Sequence, residues 1–418
     1  MSENKKLIPK RRFKESQNAD AWEKRELDKL ADFSKGIGYS KSDLVSTGEP
    51  VILYGRLYTN YETVIRDIDT FVNDISNSVL SKGGEVIVPS SGETAEDISR
   101  ASVVDFTGIA LGGDLNIIYP KAQIDSTFLA LTISNGNQKK ELSKRAQGKS
   151  VVHIRNEDLK KVLLVFPKKE EQKLIGRFFC SLDQTIAFQQ RKLEKMKSMK
   201  SAYLSEMFPA EGEHKPKRRF PGFTDDWEQC ELGEVLSGMY NGQTPSRFSA
   251  ENWGGKINWL TSGELNQEVV MKTIEKITPI GQKDANLRVV PEGTFIMAIT
   301  GLEAAGTRGS CARLGIPTTL NQSCMALFPK ENLLDSGFLF QWYKKIGESY
   351  GLKYTQGTKQ QSYNAELVKI LPIILPNVAE QKAISNFLDN LDQTIAFQQQ
   401  KLEKLQNIKK AYLNEMFI

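Results

Sequence analysis

The chain has 418 residues, 39% hydrophobic and 26% charged, an ordinary globular composition with room for two or three domains. Its 56 Lys and Arg against 51 Asp and Glu leave a net charge of +5, which permits a polyanionic partner without requiring one. No apolar run approaches the roughly 20 residues of a membrane span, and the opening MSENKKLIPKRRF lacks the apolar core of a secretory signal. Four scattered cysteines (Cys180, Cys230, Cys311, Cys324) without a CxxC pair indicate a reducing, cytoplasmic setting and no zinc site.

Along the chain, EPVILYGRLY from Glu49, GEVIVPS from Gly84 and LNIIYPK from Leu115 read as strands, and STFLALTISN from Ser126 as a helix. KVLLVFP is a buried, extended entry to a long segment, EEQKLIGRFF onward from Glu170, with no Pro or Gly between Arg177 and Phe208. A second set follows in the same order. KINWL, GTFIMAI and SCMALFP are strands, SGFLFQWYKKIGESY from Ser336 has helical spacing, and KILPIILP leads into AEQKAISNFL from Ala379.

The two long segments align without gaps at a shift of 209 residues, half of 418, with about two thirds of their positions identical. PKRRF at Pro9 returns at Pro216, followed each time by a Trp, Trp22 or Trp227. Between the long segments the match is weak. The order is therefore variable domain over 1–168, helical spacer over 169–210, variable domain over 211–377 and helical spacer over 378–418.

Apolar residues in the long segments recur at alternating spacings of four and three. The first copy gives Ile175, Phe179, Leu182, Ile186, Leu193, Met196 and Tyr203; the second gives Ile384, Leu388, Leu391, Ile395, Leu402, Leu405 and Tyr412. That is a heptad seam, broken in both copies by a Gln (Gln189, Gln398) and a Lys (Lys200, Lys409). Each helix of ~38 residues is about 57 Å long and cannot bury its seam alone. Its nearest available partner is its own copy, so an antiparallel coiled coil about a pseudo-two-fold is expected. The fold class is α+β: two mixed, β-rich domains separated by two paired helices.

Catalytic constellations are lacking. His153 and His214 stand near no nucleophile pattern, QGKS at Gln147 lacks the preceding glycine of a phosphate loop, and no Cys/His cluster suggests a metal. The paired carboxylates at Glu170 and Asp225 read as helix-dipole and surface choices. The polar loops are more informative. PSSGETAEDISR (89–100) offers Ser90, Ser91, Glu93, Thr94 and Arg100, and its counterpart ITGLEAAGTRGSCAR (299–313) offers Thr300, Arg308 and Arg313. GQTPSRFSAENWGGKINW (242–259) adds Thr244, Ser246, Arg247 and Lys256, AQGK adds Lys149, and KYTQGTKQQSY (353–363) adds Lys359, Gln360 and Gln361. These side-chain types contact phosphates and base edges, and they differ between equivalent loops.

On the duplicated EEQKLIGRFF…LDQTIAFQQRKLEK and AEQKAISNFL…LDQTIAFQQQKLEK segments, KPKRRFPGFTDDWEQCELGEV, and the PSSGETAEDI and GQTPSRF loops, the chain resembles the specificity subunit of Type I restriction–modification systems. The resemblance spans the whole chain. It implies two target-recognition domains, each reading one half of a split, asymmetric site in double-stranded DNA, and helices that act as a ruler. It also implies docking of two modification (methyltransferase) subunits, with restriction/translocase subunits in the full complex. No catalytic centre, cofactor or membrane contact is expected in this chain; S-adenosylmethionine, ATP and Mg belong to the partners. A non-DNA two-domain adaptor and an enzyme with an unrecognised nuclease site are the competing classes. The first PKRRF runs into KESQNADAWEKREL rather than PGFTDDWEQCEL, so the first domain entry is expected to be longer or less closely packed. Cys180, at the position of Asp389, is expected to be an interface residue without special role.

Overall fold

A computed structural model describes residues 7–146, 148, 151–303, 306–355 and 361–418, and all elements and partners are those of the described residues. The chain forms two compact units, Met1–Arg191 with Gln400–Ile418, and Lys192–Gln399.

In the first unit the strands are β1 (Glu23–Glu26), β2 (Ala31–Lys35), β3 (Glu49–Ile52), β4 (Val64–Ile65), β5 (Phe71–Val72), β6 (Val79–Lys82), β7 (Glu85–Pro89), β8 (Ser91–Gly92), β9 (Ser102–Val104), β10 (Thr107–Leu111), β11 (Leu115–Pro120), β12 (Val152–His153) and β13 (Leu163–Phe166). Its helices are α1 (Arg56–Thr59), α2 (Ser126–Ser134), α3 (Gly136–Arg145), α4 (Asn156–Lys160) and the first part of the long α5 (Lys169–Glu206). The main sheet runs β2-β11-β7-β9-β4, and a second runs β5-β3-β10-β6. Strand β7 reads EVIVP and is buried throughout, because both of its faces are covered. Val86 and Val88 join a core with Phe128 and Leu131 of α2, whereas Ile87 joins a separate core with Leu111 of the second sheet.

The second unit repeats this plan. It holds β14 (Glu228–Glu231), β15 (Leu236–Asn241), β16 (Trp253–Leu260), β17 (Val269–Val270), β18 (Glu275–Ile277), β19 (Phe295–Ala298), β20 (Cys311–Leu314), β21 (Thr319–Leu320), β22 (Cys324–Pro329) and β23 (Pro372–Leu375). Its helices are α6 (Pro279–Asp284), α7 (Ser336–Lys353), α8 (Ala365–Lys369) and most of the long α9 (Val378–Met416). The main sheet runs β15-β22-β19-β20-β17, the same order as in the first unit, and a smaller one runs β18-β16-β21.

A buried glutamine sets each long helix against its domain. In the first unit Gln172 accepts from the Asp125 N–H at 2.8 Å and donates to the carbonyls of Gln123 and Pro167. Asp125 in turn caps α2. Gln381 does the same in the second unit, with the Asp335 N–H, Leu333 and Pro376. A planar amide with two donors and two acceptors meets both demands at once.

The structure departs from the sequence reading at one strand and shows two further differences between the units. The RLY of EPVILYGRLY is the helical turn α1, not strand. The helix counterpart in the first unit breaks at Gly136, whose φ of +66° is open to glycine, whereas α7 runs on unbroken. The first domain entry is two residues longer and includes a 3₁₀ turn, Lys14–Ser16, but it is well packed: Trp22 and Trp227 are both buried.

Candidate nucleic-acid interface

Each long helix belongs to both units, and each unit holds the start of one beside the end of the other. In the first unit Phe178 of α5 packs edge-on against Tyr412 of α9 at 5.1 Å, and Lys409 pairs with Asp183 at 2.5 Å. In the second, Tyr203 packs against Phe387 at 5.0 Å and Lys200 pairs with Asp392. These contacts interchange under the 209-residue shift, and they require antiparallel helices. The lysines that interrupt the seam are thus answered by aspartates of the other copy. No seam residue is exposed: Ile175, Phe179, Leu193, Ile384, Leu388 and Leu402 are buried, and Leu182, Ile186, Met196, Tyr203, Leu391, Ile395, Leu405 and Tyr412 are half-buried. Ile175 and Phe179 pack in the core of the first unit, and Ile384 and Leu388 in that of the second. The helix–helix seam is therefore shorter than the heptad spacing alone suggests.

The PKRRF repeat is a strap across the helix ends. In the first unit Arg12 forks onto Glu171, Arg11 bonds Glu415 at 2.5 Å and lies over the Tyr412 ring, and Phe13 meets Phe178 at 5.7 Å. In the second unit Arg219 forks onto Glu380 at 2.8 and 2.6 Å, Arg218 bonds Glu206 at 2.7 Å and lies over Tyr203, and Phe220 meets Phe387 at 5.8 Å. Glu171 is buried and ion-paired, a structural role beyond the helix-dipole choice read from its place at the helix start. The signal was present in the sequence, since PKRRF and the Glu-Gln of both long segments recur together.

The recognition loops hold fewer free side chains than their composition suggests. In the first unit Ser90 is buried, with its N–H and hydroxyl both on Asp114, so it is withdrawn as a surface contact. The Ser91 hydroxyl shares a hydrogen bond with His153 Nδ1 at 3.1 Å, between β8 and β12. Glu93 and Thr94 are exposed. Thr94 donates to Asp97 at 2.7 Å and Arg100 donates to the same carboxylate at 2.9 Å. The Thr94 hydroxyl and, after it, Arg100 hold the Asp97 carboxyl below its usual range against the opposing effect of burial. Arg100 also lies over the Tyr58 ring, so it is partly committed. Lys149 lies outside the described residues.

In the second unit Arg313 is on β20 and its guanidinium meets Asp389 of α9 at 2.7 Å, over the Phe340 ring. It anchors the domain to the helix and is withdrawn as a guanine contact. In the first unit the parallel-strand partner at this position is Val103, and Asp389 is matched by Cys180. Charge in one unit is thus replaced by an apolar pair of positions in the other. Arg308 donates to the Glu303 carbonyl, and Thr300 bridges to Ser362. Gln361 donates its N–H to the Glu303 carboxylate, while Lys359 and Gln360 lie outside the described residues. In the loop between β15 and β16, Thr244 bonds Gln322 and Ser246 receives two side-chain donors, Asn252 and Trp253. Arg247 forks onto Glu275 at 2.6 and 2.8 Å while stacked 3.7 Å from the Trp253 ring. Lys256 is exposed. Phe248, absent from the sequence reading, is fully exposed beside Arg247.

Two versions of one α+β fold, with different loops and shared, interchanging helices, define a two-headed recognition protein. The family model of the Type I restriction modification DNA specificity domain matches residues 19–198 and again residues 224–407. The chain therefore belongs to the Type I restriction–modification DNA specificity family and carries its domain twice. It is 23% identical over 427 residues to the Type I restriction enzyme MjaVIII specificity subunit of Methanocaldococcus jannaschii, covering 96% of this chain and 94% of that one. Its fold is similar to that of the S subunit of a Type I restriction–modification system from M. genitalium, with a TM-score of 0.63, 15% identity and 99% of each chain covered. It is also similar to a chain solved in a study of complex assembly and conformational transition of the Type I system, with a TM-score of 0.52, 15% identity, and 95% and 97% covered. No described helix is long and apolar enough to cross a membrane.

Proposed function

We propose that this chain is the non-catalytic DNA-reading subunit of a Type I restriction–modification complex. Its recognition domains, over 1–168 and 211–377, each read one half of a bipartite, asymmetric site in duplex DNA. The spacers over 169–210 and 378–418 fix the number of unread base pairs between them. The observation that carries the reading is the interchange of Lys200–Asp392 with Lys409–Asp183 within two domains whose loops differ. Contacts that maintain the helix pair are the same twice, while contacts open to a ligand are different.

The helices also support docking of two copies of one partner, the modification subunit. Phe188 and Phe397 occupy the same position of LDQTIAFQQ and both stand exposed. A large apolar side chain left in water at both copies of an otherwise amphipathic helix suits a repeated protein contact. Methyl transfer from S-adenosylmethionine and ATP- and Mg-dependent steps are assigned to partner subunits, in the cytoplasm with the DNA. Adenine-methylation mapping in cells with and without the chain tests the reading. A split motif that disappears with the chain is the expected result; an unchanged methylation pattern contradicts it.

A further inference from the structure

We infer that Phe248 is a specificity-determining residue of the second recognition domain, set to place its ring on an apolar base surface of duplex DNA. Its side chain has 101% of the accessibility of a free residue, yet the backbone on either side of it is held. The Ser246 N–H donates to Asp284 at 3.1 Å, and its carbonyl accepts from Asn252 and from the Trp253 indole at 3.2 and 3.0 Å. Arg247 is fixed by its bidentate pair with Glu275 and by the Trp253 ring. A phenylalanine on a slack loop folds back onto apolar surface, because burial of its ring is favourable. Here the loop denies that option, and the ring is displayed.

The charges of its segment are mixed. Between residues 242 and 292 most acidic groups are used internally. Glu264 accepts from Thr261 and Ile274, Glu268 pairs with Lys200, Glu275 with Arg247, and Asp284 with Ser246 and Asn252. Lys256, Lys272, Lys276 and Lys283 are exposed and, among the described residues, in no ion pair. Glu251 and Glu292 are exposed as well, so the segment balances six acidic against six basic side chains, and it presents unpaired lysines for phosphates together with one aromatic ring for a base. Arg247 itself is already committed, so the loop reads through the next residue. The corresponding loop of the first unit displays no aromatic ring in this way: Tyr39 donates its hydroxyl to the Asp74 carbonyl at 2.6 Å. The contact thus belongs to one half-site.

The inference rests on the proposed function and is tested on the full chain with its modification subunits. Wild type and Phe248→Ala are titrated with the mapped split site and with unrelated duplex. The variant is expected to lose at least about fivefold on the split site, the low end for one good base contact, with non-specific binding unchanged. Uracil in place of each thymine of the second half-site then removes the 5-methyl groups. A wild-type loss on that DNA, absent in the variant, assigns the ring to a thymine methyl. Enhanced 2-aminopurine fluorescence that needs Phe248 assigns it to an unstacked base face. Equal affinities of wild type and variant, equal losses on both DNAs, or loss of modification-subunit binding instead, overturn the inference. If wild type itself selects no site, it is the broader reading that fails.

Discussion

The arginines of the two straps hold carboxylates that are nearly out of water, with Glu380 fully buried beside Arg219. Removing the cation leaves a buried charge without its partner, which costs about 3–5 kcal/mol. Arg219→Met is expected to destabilise the chain on that scale in chemical denaturation, and Arg219→Met with Glu380→Gln to recover much of it. Arg313→Ala acts on a pair about one-fifth exposed, so a smaller loss is expected. Half-site preference should stay unchanged, since Arg313 bonds α9. At Glu275 the hydrogen bond from Arg247 holds the carboxyl below its ordinary value of 4.5, while burial opposes this. The folded chain binds that proton more weakly than the unfolded one, so the contact's stabilisation is present above 4.5 and is lost as pH falls through the lower folded value. The Trp253 indole N–H resonance should report release of the loop in that acidic window. Glu275→Gln should show the released position already at neutral pH.

The helices are held differently at their two lysines. Lys200 and Asp392 are 15% and 7% exposed and share a network with Gln341 and Glu268, whereas Lys409 and Asp183 are about one-quarter exposed. Burial raises the Asp392 carboxyl despite the opposing Lys200, which marks the drier site. Lys200→Met is therefore expected to cost clearly more than Lys409→Met in denaturation of otherwise identical chains. Each helix end also completes a core: Met416 and Phe417 in the first unit, Met207 and Phe208 in the second. Phe417→Ala is expected to destabilise the first unit by about 3–5 kcal/mol, read from hydrogen exchange of β7 against β19. The helices were legible because identical sequence and 3-4 spacing survive translation into structure directly. The partners of the seam lysines were not, because Asp183 meets Lys409 and Asp392 meets Lys200 only once antiparallel register is known. Arg313 and Ser90 misled for a related reason: residue type states what a side chain can bond, not which face of a strand presents it. Phe248 was passed over because an apolar residue in a polar loop carries no sequence mark of exposure.

At the scale of the molecule, the repeat allocates sameness and difference. The straps, buried glutamines and lysine–aspartate pairs recur in both units, while the Arg313–Asp389 pair, the Phe248 loop and the break at Gly136 do not. That allocation is what two different readers on one ruler require. It implies that the ruler can be altered without altering either reader. The most direct measurement inserts one heptad after Lys192 and after Lys401, the same position of both copies, and selects the preferred DNA site with modification subunits present. A heptad adds about 10.5 Å of helix, the rise of about three base pairs at 3.4 Å each. The expected result is both half-sites unchanged and a spacer longer by up to about that amount. An unchanged spacer, or altered half-sites at the old spacing, would contradict the account.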